Sequence, residues 1–76
     1  MIDLAAIRRA TGLTQTELAH LLGVGQAQIS KVERQDDMLI STLASYLKAL
    51  GVTGSLVVEV GGHTTTYNLT AGREAR

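Results

Sequence analysis

No cysteine, proline, phenylalanine or tryptophan occurs in this 76-residue chain, and its seven acidic residues balance seven Lys and Arg. Without cysteine, neither disulfides nor thiolate metal sites can staple the fold. A chain this short buries a limited core, so tight helix packing and self-association are the remaining sources of stability. Hydrophobic residues make up 45% of it, too many for a disordered chain. No apolar run approaches the roughly 18 residues of a membrane span. Met1-Ile2-Asp3-Leu4 has neither a basic lead-in nor a long apolar stretch, so a secretion signal is not expected and a cytoplasmic location is. A net charge of zero argues against a protein that coats DNA, because phosphate neutralisation supplies most non-specific affinity. It leaves room for a specific reader whose few cations share one face.

The start and stop signals predict four helices. Asp3 can cap a first helix running to about Thr11, with Ile2 and Ile7 as a hydrophobic staple and Gly12 past its end. Thr14 and Glu17 form a capping box for the second, with Leu13 and Leu18 as the staple pair. Leu18, Leu21 and Leu22 supply its expected buried stripe, and Gly23 ends it. Val24 and Ile29 repeat the staple around Gly25 and open a third helix over about Gln26–Arg34. After a polar loop at Gln35-Asp36-Asp37, Ser41 can cap a fourth, in which Leu43, Tyr46, Leu47 and Leu50 recur at helical spacing before Gly51.

Beyond Gly51 the period changes. Ser55–Val60 and His63–Leu69 are rich in β-branched residues, and Gly61-Gly62 between them suits a two-residue hairpin turn. That register pairs Leu56 with Tyr67, Val58 with Thr65 and Val60 with His63. It gathers Leu56, Val58, Val60, Tyr67 and Leu69 on one face. The expected class is mainly α with a small β part: a four-helix helix-turn-helix domain over 1–51, a hairpin over 52–69 and a flexible tail over 70–76. The hairpin is the expected dimer element, since two strands alone are marginal and strand addition across a two-fold axis would build a larger sheet. The rival arrangement lays it on the fourth helix as a lid.

Two short helices crossing steeply need a small residue at the crossing, a turn residue tolerant of positive φ, and apolar anchors three apart. Ala19, Gly23, and Ile29 with Val32 meet those needs within Gln15–Val32, and Leu18, Leu22 and Val24 complete the wedge. The stretch from Thr14 to Glu33 resembles the phage repressor/Cro (Xre) helix-turn-helix family, over about Leu4–Leu50. The segment Ser41–Gly51 followed by a β-rich end is similar, more narrowly, to antitoxins of the HigA and HipB type. The chain lacks the fifth helix of the phage repressors, so their mode of dimerisation does not carry over.

In such a motif the N-terminal residues of the second helix face base edges. Helix three presents Gln26, Ala27, Ser30, Lys31 and Arg34 opposite its buried Ile29 and Val32. Gln26 suits adenine, Lys31 guanine acceptors and Ala27 a thymine methyl, while Gln28 at the edge is within reach of either a base or a phosphate. Ser30 and Arg34 are candidate phosphate contacts. Gln15, with the free N–H groups that open helix two, suits a phosphate, and the resemblance implies the same. The resemblance also implies that Arg8 and Glu33 form a partly buried ion pair, for which arginine's bidentate geometry gives a reason. Two unrelated surface charges are the alternative.

Other function classes find less support. Glu17 and His20 share an E-x-x-H spacing that could hold a metal, but they supply two ligands and Glu17 is already engaged in the capping box. No nucleophile triad or phosphate loop is present, so neither catalysis nor a cofactor is expected. A pure protein-interaction module fits the neutral charge. The resemblance implies a homodimer on a palindromic double-stranded operator, with a RelE-like or HipA-like toxin as partner. A free-standing repressor is the competing role.

Overall fold

A computed structural model describes residues 2–71. Helices α1 (Leu4–Ala10), α2 (Gln15–Leu22), α3 (Gln26–Arg34) and α4 (Ile40–Leu50) precede strands β1 (Ser55–Val60) and β2 (His63–Asn68). Local chemistry accounts for most boundaries. The Asp3 carboxylate accepts the Ala6 N–H at 3.0 Å. Thr14 Oγ1 accepts from Glu17 N at 3.0 Å while Glu17 Oε1 accepts from Thr14 N at 2.9 Å, a complete capping box. Gly23 ends α2 at φ 71°, and the Val24 N–H reaches back to the Ala19 carbonyl at 3.0 Å.

Helix α4 departs from the reading above. Its cap is Leu39, with no side-chain hydrogen bond, and Ser41 lies inside the first turn. The first bond is Leu43 N–H to Leu39 C=O at 3.1 Å. Leu43 is buried and Met38 is packed against the core, so hydrophobic packing sets where the helix begins. A serine cap, worth about 1 kcal/mol, does not compete with that.

Leu4, Leu18, Ile29 and Tyr46 are almost fully buried and bring all four helices into one core. Ala19 is buried where α2 packs on α3. The inner face of α2 is Leu18, Ala19 and Leu22. Leu21, expected in that stripe, is 59% exposed because Ala19 takes the inner position and rotates it to the flank.

The strands form an antiparallel hairpin with Leu56 opposite Tyr67, Val58 opposite Thr65 and Val60 opposite His63. Gly61 and Gly62 adopt φ 55° and 84°, which L residues rarely do. Every residue of both strands is exposed, so the hairpin stands away from the helices and does not cover α4 as a lid. Leu69 corrects the expected apolar face. It lies beyond β2, its N–H bonds the Gly54 carbonyl at 2.9 Å, and its side chain joins the helical core. Leu69 therefore anchors the base of the hairpin while Leu56, Val58, Val60 and Tyr67 project beyond it. Thr70, expected to begin a loose tail, is tied down by accepting the Gly54 N–H at 3.1 Å. Ala71 is exposed, and the remainder of that expected tail, 72–76, lies outside the described residues.

Candidate nucleic-acid interface

Helix α3 divides cleanly. Ile29 and Val32 are buried, whereas Gln26, Ala27, Gln28, Lys31 and Arg34 are exposed and Ser30 is half-buried. The exposed set lies on consecutive turns of one helix, the arrangement that enters a major groove. Helix α3 carries a single acid, Glu33, and that carboxylate is turned inward. Lys31 and Arg34 are therefore the outward charges of α3, which reconciles a locally basic face with a neutral chain.

Glu33 is the hub of a network joining all four helices. Its Oε2 accepts from Arg8 Nε at 2.6 Å and from the Tyr46 hydroxyl at 2.6 Å. Its Oε1 accepts from Arg8 Nη2 at 3.3 Å and from Gln15 Nε2 at 2.9 Å. Arg8 Nη1 also donates to the Leu13 carbonyl at 2.9 Å, holding the loop between α1 and α2. The Arg8 and Glu33 side chains are only 9% and 4% exposed. The pair is thus interior, and no buried polar side-chain atom among the described residues lacks a partner.

The network reaches the surface with a fixed polarity. A carboxylate only accepts, so Gln15 must turn its Nε2 toward Glu33 and its Oε1 outward. That oxygen accepts from Gln26 Nε2 at 2.5 Å. Gln26 keeps its own Oε1 and one remaining amide N–H, the acceptor–donor pair that matches adenine N6 and N7. The buried carboxylate orients the exposed amide through one intermediary. Gln15, singled out as a phosphate contact, is half-buried and serves as that intermediary.

Tyr46 was legible only as a core residue at helical spacing. Its ring is buried, and a buried tyrosine hydroxyl needs a partner, which is the signal that could have pointed to Glu33. The hydroxyl also lies 3.1 Å from the Leu4 carbonyl, but its one proton is better placed on the charged, closer carboxylate. The Glu17–His20 pair gathers no further ligand. Among the described residues no group of three or more His, Cys, Asp or Glu is placed to hold a metal.

Titration follows from this geometry. Burial opposes the charge on Glu33, yet hydrogen bonds from Arg8, Tyr46 and Gln15 outweigh it and hold the carboxyl below its usual range. Burial, and then the hydrogen bond to Glu33, raise the Tyr46 hydroxyl. The Glu33 contribution to stability is complete above its ordinary pKa of 4.5 and fades as pH falls through the depressed folded value. The Tyr46 contribution is complete below its ordinary pKa of 10.0 and fades as pH rises toward the elevated folded value. Stability measured by urea denaturation should hold a plateau between about pH 5 and about pH 10. Glu33→Gln should flatten the acid limb. An acid limb of unchanged slope in that variant would detach it from Glu33.

Comparison with known proteins agrees with this geometry. The helix-turn-helix family model matches residues 4–57. A Mycobacterium tuberculosis protein named as antitoxin HigA3 is 42% identical over 64 residues, 80% of this chain. A second protein of that organism, named as antitoxin HigA2, is 34% identical over 65 residues, 83% of this chain. The chain spans only 59% and 64% of the length of these relatives. A solved structure of DNA-bound antitoxin HigA3 superposes with a TM-score of 0.78 at 39% identity, covering 97% of this chain and 96% of that one. Another, of a HigA antitoxin in which a unique dimerization induces DNA bending, gives a TM-score of 0.76 at 38% identity, with 88% and 90% covered.

Proposed function

The chain belongs to the helix-turn-helix family, and on that footing we propose that it is a sequence-specific DNA-binding repressor and the antitoxin of a toxin–antitoxin pair. One observation carries the DNA-binding part: the oriented amide pair Gln15–Gln26 beside Lys31 on the exposed face of α3. Gln26, Ala27, Gln28 and Lys31 read bases; Ser30 and Arg34 contact phosphates; Gln15 orients Gln26 and offers its second amide N–H to a phosphate; Arg8 and Glu33 hold the reading helix against the core. The protein acts without catalysis or cofactor, in the cytoplasm. No helix among the described residues is long and apolar enough to cross a membrane. The antitoxin part draws support from the two relatives named as antitoxins and from the likeness to HigA3 with DNA bound.

A single module touches few base pairs, so two copies on half-sites about one helical turn apart are needed for tight, specific binding. The hairpin supplies the means. Leu56, Val58, Val60 and Tyr67 are 44–69% exposed on one face of a two-stranded sheet that leaves its outer edges unpaired. A second copy would cover that face and extend the sheet. The solved HigA antitoxin whose unique dimerization induces DNA bending supports a dimer on DNA.

The experiment is a gel shift on the DNA upstream of the chain's own gene. The protein should retard that fragment at concentrations where unrelated DNA of equal length stays free, with affinity falling steeply as salt rises. Equal retardation of both fragments, or of neither, would remove the repressor reading.

A further inference from the structure

One apolar surface lies outside both the reading helix and the hairpin face. A cleft of about 240 Å³ is lined by Ile2, Met38, Ile40 and Leu43 together with Asp36 and Asp37. It adjoins a second cleft of about 350 Å³, which shares Ile2 and Leu43 and continues to Leu47, Val52 and Leu69. The two form one furrow from the loop between α3 and α4 to the base of the hairpin. Its rim is apolar and open to solvent: Ile2 is 52% exposed and Ile40 51%. At one end stand Asp36 and Asp37, both exposed and neither in an ion pair among the described residues. None of the base-reading residues lines either cleft.

We infer that this furrow docks the partner protein through an apolar segment with Lys or Arg at the end lying against Asp36 and Asp37. The inference rests on the antitoxin reading, under which that partner is the toxin. Exposed Ile side chains next to unpaired carboxylates complement a segment that is apolar and then basic. A second copy is a poor occupant, because no Lys or Arg lines the furrow and a symmetric contact through it would leave Asp36 and Asp37 without a cation. Because the furrow and the reading helix share no residue, DNA and partner can be held together.

The test uses the full chain and the purified product of the toxin-like reading frame adjacent to its gene. Ile40→Gln and the double variant Asp36→Asn/Asp37→Asn alter only exposed side chains that line the cleft. Melting temperature and operator affinity should stay at wild-type values. Affinity for the adjacent product should fall by at least roughly tenfold in each, and the double variant should lose part of its salt dependence. Unchanged affinity in both variants would overturn the furrow while leaving the antitoxin reading intact. A change of oligomeric state without the partner would overturn it in favour of a second copy. If the wild-type chain fails to bind the adjacent product, the antitoxin reading itself falls, and the furrow proposal with it.

Discussion

Arg8→Ala is expected to destabilise the fold by about 3–5 kcal/mol, the cost of leaving one charge of a buried pair without its partner. The usual objection to counting ion pairs is that exposed ones contribute under about 1 kcal/mol. It does not apply here, because both side chains are less than one-tenth exposed and the Glu33 carboxylate accepts four hydrogen bonds, two of them from Arg8. Alanine would also strip the Leu13 carbonyl of its donor and loosen the loop that positions α2. A domain of this size is stable by only about 4–11 kcal/mol, so the loss is a large part of the total. Each kcal/mol is worth about 4–8 °C of Tm in so small a domain, which puts the expected fall above about 12 °C. Arg9→Ala, one residue along on the exposed face, should shift Tm very little. Equal melting temperatures for Arg8→Ala and wild type would mean that the pair does not hold the helices.

The hairpin face carries the other large effect. Val58→Lys combined with Tyr67→Lys should yield a folded monomer, because both side chains are exposed in the single chain and belong to no core contact. Affinity for a palindromic operator should then fall by about 10²–10⁴-fold, the advantage that two linked half-sites hold over one. Truncation before Ser55 is a poorer probe. It would also remove Leu69 from the helical core and leave the Gly54 N–H without its Thr70 partner. Sedimentation showing an intact dimer of the double-lysine variant would mean that another surface joins the copies.

How far the sequence alone could go is clear from particular residues. The capping box at Thr14 and Glu17 was legible because both bonds close within three residues. The hairpin register was legible because two glycines at positive φ leave one pairing for the flanking strands. The exposed set on α3 followed from the spacing of Ile29 and Val32. What stayed hidden was decided at long range. Ser41 carried a cap signal that packing of Met38 and Leu43 overrode. Leu21 obeyed the helical period but lost the inner position to Ala19. Leu69 kept the alternation of the strand yet sank into the core, because the hairpin meets the helices at its base. Tyr46 lies 13 residues from Glu33, so no local pattern could announce its bond to that carboxylate. Likewise, Gln15 and Gln26 each looked like a separate DNA contact, and only the fold joined them.

The central claim is that Gln26 and Lys31 on α3 read bases. Its most direct test measures the affinities of Gln26→Ala and Lys31→Ala for the operator and for a panel of operators substituted one base pair at a time. Each variant should bind the operator about 1–3 kcal/mol more weakly and lose discrimination at one position of the half-site, while keeping its preference elsewhere. Two variants that bind as tightly as wild type, with every base preference retained, would contradict the assignment of α3 as the reading helix.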